Sequence, residues 1–302
     1  REDLAEALGA VGADVIFTSG ATEAASWALS EQGIHCADIE HEAVLACCET
    51  SLAADYDGLV KALVPQNTAL QIANSETGVI QILPEGLWFS DMTQGFGKMP
   101  IAFNWLGTQT AAVSAHKIGG PKGVGALIVK PGTYLKPKIK GGGQEKGQRS
   151  GTENVIGIAG FGAAAKVAQK ELNDGSWDQV EELRNYLEAA IAQMAPDTIF
   201  VGKATKRLPN TSCVVSPGWA GETQVMQMDL SGIAVSAGAA CSSGKVTGSR
   251  VLRAMGLNSE VSTCSIRISL STKTRKEDIE SQVVRAVEFD KTQESVSCKR
   301  PV

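Results

Sequence analysis

The stretch Ala111-Ala112-Val113-Ser114-Ala115-His116-Lys117-Ile118-Gly119-Gly120-Pro121-Lys122-Gly123-Val124-Gly125-Ala126-Leu127-Ile128-Val129 holds two apolar runs with a bend between them. Ala111 to Val113 reads as a strand that exits at Ser114, His116 and Lys117; four glycines and a proline then turn the chain into a second strand-like run. A lysine held at a strand exit, beside a histidine and next to backbone free to bend, can be buried enough for its amine to act as a nucleophile. A solvated loop lysine beside a Gly-Pro turn is the ordinary alternative. The rest of the chain has to decide between them.

Upstream the same arrangement recurs. Val15-Ile16-Phe17 is a short buried-strand run that ends in Thr18-Ser19-Gly20-Ala21-Thr22-Glu23, ahead of a helix from Ala24 to Glu31. Small residues at such a junction leave backbone N–H groups and the positive end of the helix dipole for a phosphate; a plain N-cap by Ser19 or Thr22 is the alternative. His41 heads a short helix, Leu70 to Ala73 is a strand leading into Asn74, and Leu87-Trp88-Phe89 is a strand ending just before Asp91. Arg1 to Leu8 has the pattern of an amphipathic helix. Strands and helices alternate and the polar residues fall just after the strands. This predicts an α/β fold with a mostly parallel central sheet flanked by helices, whose ligand site lies outside the carboxyl ends of the strands.

Downstream, Lys140 to Thr152 is a glycine-rich charged loop, Val155 to Leu172 a long Ala-rich helix, and Asp174-Gly175-Ser176 a hinge. Helices are then expected over 178–195, 222–230, 249–256 and 275–290, with strands at Cys213 to Ser216, 233–236 and 265–270, an α+β pattern. The division is therefore a large domain over 1–173 and a smaller α+β C-terminal domain over 174–302, with a polar, frayed tail from Thr292.

At 302 residues, 43% hydrophobic and 20% charged, the chain can bury a large core. A net charge of -5 and a pI near 5.4, without a basic run, speak against a nucleic-acid or anionic-membrane surface and suit small acidic metabolites or protein partners. No stretch approaches the roughly 18 apolar residues of a membrane span, and the opening Arg1-Glu2-Asp3-Leu4 is not a basic leader, so a cytoplasmic protein is expected. Seven cysteines with no C-x-x-C spacing indicate reduced thiols.

The polar groups after the strands form a set: Thr22, His41, Asn74, Asp91, Gln94, Ser114, His116 and Lys117. His35, His41 and His116 lack paired ligand spacing, so no metal site is expected, and no G-x-S-x-G points to a serine hydrolase. A nucleophilic lysine, a carboxylate and a phosphate cradle instead suggest pyridoxal 5′-phosphate.

Here the chain resembles a known family. Phe17 to Glu23, Glu40-His41-Glu42-Ala43-Val44, Asn74-Ser75-Glu76-Thr77-Gly78-Val79-Ile80-Gln81, Asp91-Met92-Thr93-Gln94 with Gly97-Lys98, Ser114 to Val129, and Gly141 to Thr152 are similar, in order, to the motifs of the cysteine desulfurases. Ser236 to Ser242, Val251-Leu252-Arg253-Ala254 and Ser265-Ile266-Arg267-Ile268-Ser269 continue the match. These are fold-type I pyridoxal-phosphate enzymes of the class V aminotransferase group. The resemblance implies that Lys117 anchors the cofactor and shuttles protons, Asp91 pairs with its ring nitrogen, and Gln94 bonds its ring hydroxyl. His41 would stack on the ring and help move protons, Thr22, Ser114 and His116 would bind the phosphate, and Thr152 would reach it from the other subunit of a homodimer. Asn74 and Arg267 would hold the carboxylate of L-cysteine. Read singly, Asp91 is a cap, Asn74 a turn residue and Arg267 a strand-edge ion-pair partner.

Cys241 lies in a run of small residues, Ala239-Ala240-Cys241-Ser242-Ser243-Gly244-Lys245, that suits a mobile loop. By resemblance its thiolate attacks the substrate sulfur, which leaves a persulfide and L-alanine for delivery to a sulfur acceptor or iron–sulfur scaffold protein. The match begins where the family already has a strand-helix region behind it, so the chain is expected to lack that N-terminal segment. Met92 stands where the family has a small residue, and Gln144 where it has a histidine. Selenocysteine or cystine lyase chemistry on the same scaffold, or a non-catalytic relative, are the alternatives.

Overall fold

The computed structural model describes residues 1–30, 32–237 and 248–280. Its first part contains helix α1 (Glu2–Ala7), strand β1 (Asp14–Thr18), α2 (Ala21–Leu29), β2 (His35–Ala37), α3 (Glu42–Leu45) and β3 (Glu49–Leu52). β4 (Phe89–Asp91), β5 (Thr110–Ser114), β6 (Gly125–Val129) and α4 (Val155–Asn173) follow. The second part contains α5 (Ser176–Met194), β7 (Ile199–Phe200), β8 (Thr211–Val215), α6 (Gly221–Leu230), β9 (Ser236–Ala237), α7 (Arg250–Ala254), α8 (Ser259–Ser262) and β10 (Ser265–Ser269).

The first sheet has the order β1-β6-β5-β4. β6 runs antiparallel to both neighbours, Phe17 and Val113 each facing Ala126, while β4 is parallel to β5, with Ser90 opposite Ala111. It follows that β1, β4 and β5 point the same way and end on one edge, at Thr18, Asp91 and Ser114. Residues 68–72 extend this sheet beyond β4: Leu70 N–H donates to Phe89 O at 3.0 Å, Ile72 N–H to Asp91 O at 2.9 Å, and Ala69 N–H to His35 O at 2.9 Å. The parallel pair β2–β3 continues on the far side.

The strands are buried on both faces, as their near-continuous apolar runs require. Side-chain alternation splits each run between two cores. Val15, Phe17, Ala111 and Val113 pack with Leu4, Leu8, Phe96, Phe103 and Phe161 under α1 and α4. Ile16, Ala112 and Leu127 pack with Trp27, Leu29 and Phe89 under α2. A third core joins Ala37, Ile39, Leu70 and Leu87 to Val201, Cys213, Val215, Leu252 and Met255 around the second sheet, β7-β8-β10-β9, which is antiparallel throughout.

Several boundaries differ from the sequence reading. α2 begins at Ala21 rather than Ala24, which puts Thr22 in its first turn. β4 runs through Asp91 instead of stopping before it. The strand expected at 70–73 is bonded on both sides yet irregular, and the one expected at 233–236 is the two-residue β9. β2 and β3 are additions; the exposed Glu49-Thr50-Ser51 face of β3 carries no apolar signal. The last helix is seen from 276 to 280, beyond which the chain lies outside the described residues.

Glu188 of α5 ties that helix to the second sheet. Its carboxylate accepts both terminal guanidinium nitrogens of Arg207, at 2.7 and 3.0 Å, and the Ser212 hydroxyl at 2.6 Å. Burial by itself would raise this carboxyl, but the hydrogen bonds from Arg207 and Ser212 prevail and hold it below its usual range. Its stabilising effect is therefore complete at neutral pH and is lost as the pH falls through the lowered native value. Glu188→Ala is expected to cost about 3–5 kcal/mol by leaving Arg207 buried and unpaired. Urea unfolding at pH 7 and pH 4 checks both the loss and its shrinkage in acid.

Candidate active site

The shared edge of β1, β4 and β5 collects the polar residues. At the end of β1 the Thr18 hydroxyl donates to Gly20 O at 2.9 Å, and Gly20 opens α2 without any side-chain cap. Glu23 reaches back instead to accept Ser19 N–H at 2.8 Å, and Arg149 holds it through contacts of 2.9 and 3.2 Å. Burial raises the Glu23 carboxyl, yet the hydrogen bonds from Arg149 and Ser19 leave it lowered overall. The leading N–H groups of α2, with Thr22 among them, are thus kept for an external acceptor at the positive helix end. Gly125 makes this possible: a Cβ there would lie 2.7 Å from the Gly20 backbone and 2.7 Å from Val113 O.

At the end of β5, Ser114 is buried and its Oγ lies 2.8 Å from His116 Nδ1. A 3₁₀ turn, Ala115–Ile118, follows and closes on Gly119 at φ 80, a left-handed conformation that favours glycine. The turn leaves Lys117 exposed. Partial burial, then the Lys117 and Lys122 charges, lower the His116 pKa and favour its neutral imidazole.

At the end of β4, Asp91 Oδ1 accepts Thr93 N–H at 2.9 Å. Lys98 Nζ donates to Gln94 O at 2.9 Å and to Gln94 Oε1 at 3.1 Å. Burial, then the charges of Lys117 and Arg267, push Lys98 down to about 8. Lys98, Lys117 and Arg267 therefore share one electropositive region, suited to anionic ligand groups. Glu40 is buried near Asp91: Oε1 accepts Gln71 N–H at 2.8 Å, Oε2 has no partner, and burial pushes the carboxyl well above the usual carboxylate range.

The second sheet contributes Arg267 of β10, whose Nη1 donates to Ser75 O at 2.7 Å and whose buried Nε lacks a partner. Neighbouring Asn74 is buried within its own turn: Oδ1 accepts Glu76 and Thr77 N–H, both at 2.9 Å, and Nδ2 donates to Ile39 O at 2.9 Å. One Nδ2 hydrogen is left over. His41 caps α3, its Nδ1 accepting Ala43 N–H at 3.1 Å, which puts the proton of the neutral ring on Nε2. Thr152 is exposed and lines a cavity with Thr18, Ser19 and Arg149 at the end of β1. Cys241 lies outside the described residues.

These groups fit pyridoxal phosphate. An uncapped helix start beside Ser114 and His116 suits its phosphate, Asp91 suits a protonated ring nitrogen, and the Lys117 amine suits its aldehyde. Among the described residues no cluster of His, Cys, Asp and Glu could hold a metal ion. Sequence reasoning gave Lys98 and Glu40 no role of their own, although both lie in the matched motifs Gly97-Lys98 and Glu40 to Val44. The four-residue spacing of Gln94 and Lys98 was a readable signal for the first, while nothing local marks Glu40 as buried.

Residues 62–281 match the family model of the class-V aminotransferases. The cysteine desulfurase IscS of Dictyoglomus turgidum is 37% identical over 314 residues, which cover 92% of this chain and 79% of that protein. A cysteine desulfurase of Cereibacter sphaeroides is 37% identical over 316 residues, covering 93% of this chain and 81% of its own length. Among solved structures, a NifS-like protein from Rickettsia africae superposes with a TM-score of 0.85 at 31% identity, over 96% of this chain and 86% of that one.

Gly125→Ala tests the phosphate cradle. The new methyl meets backbone on two sides and cannot be relieved by a rotamer change, so a loss of about 1–3 kcal/mol in stability is expected. Pyridoxal phosphate should also bind more weakly to the folded variant, as read by spectroscopic titration.

Proposed function

We infer that this chain, which belongs to the cysteine desulfurases of the class-V aminotransferase family, converts L-cysteine to L-alanine with pyridoxal phosphate as cofactor and passes the sulfur to Cys241. The observation that carries the reading is the common edge of three parallel strands. It sets a carboxylate, an exposed lysine amine and an uncapped helix start beside one another. The sulfur step balances as a transfer: the Cβ–S bond of cysteine breaks, a sulfur–sulfur bond forms on Cys241, and carbon receives the proton and electron pair that complete alanine.

Bound at this edge, pyridoxal phosphate supplies an electron sink for charge developing at the substrate Cα. The side chains do the rest. Asp91 holds a proton at the ring nitrogen through the carboxylate oxygen that Thr93 leaves free, and Gln94 donates to the ring hydroxyl. Ser114, His116, Thr22 and the start of α2 bind the phosphate. Lys117 Nζ holds the aldehyde carbon and moves the proton at the substrate Cα, with His41 Nε2–H as a second proton carrier. Arg267 takes the substrate carboxylate, as its unpartnered Nε favours, with the spare Asn74 Nδ2 hydrogen beside it.

The division into a cofactor-binding lobe over 1–173 and a smaller lobe over 174–302 belongs to the same reading, supported by the two separate sheets. A homodimer suits exposed Thr152 and the apolar start of α4, where Ile156 is 87% exposed. The partners we propose are a sulfur acceptor or an iron–sulfur scaffold protein, in the cytoplasm. In keeping with this, no helix among the described residues is long and apolar enough to cross a membrane.

Two variants separate the carbon chemistry from the sulfur chemistry. Lys117→Ala is expected to abolish both the visible absorption of bound cofactor and alanine formation. Cys241→Ser should keep the absorption band and lose turnover. In the wild type, mass spectrometry after addition of L-cysteine should find one extra sulfur on Cys241. Alanine formed by Cys241→Ser at the wild-type rate would refute the transfer.

A further inference from the structure

We propose that Lys98 is a positioning residue for the cofactor: it turns the Gln94 carboxamide so that Nε2, a hydrogen-bond donor, faces the ligand, and the site thereby selects the deprotonated ring hydroxyl. The proposal rests on the cofactor reading above and adds a residue to it.

The argument starts from what Lys98 can do. An ammonium only donates, whereas a carboxamide can present either its oxygen or its nitrogen to a given neighbour. Lys98 Nζ lies 2.9 Å from Gln94 O and 3.1 Å from Gln94 Oε1, and both must be acceptors. Having spent Oε1 on Lys98, Gln94 is left with two N–H donors. A ligand oxygen that meets them must accept, which favours a phenolate over a phenol.

The surrounding backbone makes this arrangement stiff. Gly97 has φ 75, and a Cβ on it would come 2.8 Å from Ile118 Cγ2 and 3.0 Å from Ala168 Cβ. The turn from Gln94 to Lys98 is therefore pressed against the turn that carries Lys117. Among the described residues, the charged groups that act on Lys98 are Lys117, from the turn after β5, and Arg267 of β10. Both are cations, and Lys98 adds a third beside the nitrogen that Lys117 brings to the cofactor. A positive neighbour disfavours the protonated form of that nitrogen and favours a negative ring oxygen.

The test uses the cofactor-loaded protein and follows the visible band against pH, together with the dissociation constant for pyridoxal phosphate. Lys98→Met removes both the donor and the charge. It is expected to raise the midpoint of the spectral transition by about one pH unit and to weaken cofactor binding by about tenfold, each equivalent to one decade in an equilibrium constant. Lys98→Arg keeps a cation that only donates and should restore the wild-type midpoint. Gln94→Leu approaches the contact from the other side, leaves Lys98 in place, and should also raise the midpoint. It decides the matter if Lys98→Met does not fold. An unmoved midpoint in Lys98→Met or Gln94→Leu overturns the proposal, as does a Lys98→Arg midpoint displaced as far as that of Lys98→Met. A wild-type protein with no visible band would instead sink the cofactor reading, and this inference with it. A normal wild-type band with unmoved variant midpoints sinks this inference alone.

Discussion

The site depends on the burial of β5. All five of its residues are buried, and it is hydrogen-bonded on both sides, to β4 and to β6. A strand so enclosed can meet a ligand only where it ends. The chain emerges through Ser114 into a short turn, and Lys117 is its exposed lysine. Because β4 and β1 run in the same direction, their ends arrive at the same edge, and the carboxylate of Asp91 and the start of α2 come with them. Small residues along β5, alanine at 111 and 112, let helices cover both faces closely.

Electrostatics give this edge its character. Lys117 and Arg267 both act on Lys98 as like charges, a repulsion that an anionic ligand relieves. Asp91 is the acidic group at the end of β4 and Glu23, beyond the end of β1, is taken up by Arg149, while Glu40, deeper and pushed towards its neutral form by burial, does not cancel the cations. A phosphate and two carboxyl-bearing molecules, substrate and product, match the excess positive charge.

The two sheets are joined at the same place. Arg250 of α7 donates to Asp38 O at 2.7 Å and to Glu40 O at 3.0 Å, and Ser249 Oγ donates to Glu76 at 2.5 Å. With Arg267 on Ser75 O, these bonds clamp the segments around His41 and Asn74 against the second sheet. Asn74 shows how one residue can serve two readings. Its side chain is the scaffold of a tight turn, and that turn is what presents a backbone carbonyl to Arg267. Removing Asn74 would disturb the arginine even if the amide never touched a ligand.

Much of this was legible in the sequence, because the decisive signals are local. Apolar runs followed by small or polar residues marked β1, β4 and β5 and the turns after them, and the ordered motifs from Phe17 to Ser269 pointed to the family, with Lys117, Asp91 and Gln94 as its expected cofactor residues. Local pattern could not show pairing. That β6 inserts antiparallel between β1 and β5, that residues 68–72 join the sheet without forming a regular strand, and that Gly125 must be glycine because Gly20 lies against it are facts about neighbours far apart in the chain. The same holds for charge. Lys98 is only a motif position until the fold closes around it and brings the charges of Lys117 and Arg267 to bear on it, and Glu40 is another until burial strips it of water. Sequence determined which groups are present and at which strand ends. Tertiary structure decided which of them share a dielectric environment, because burial and charge proximity are properties of the packed whole.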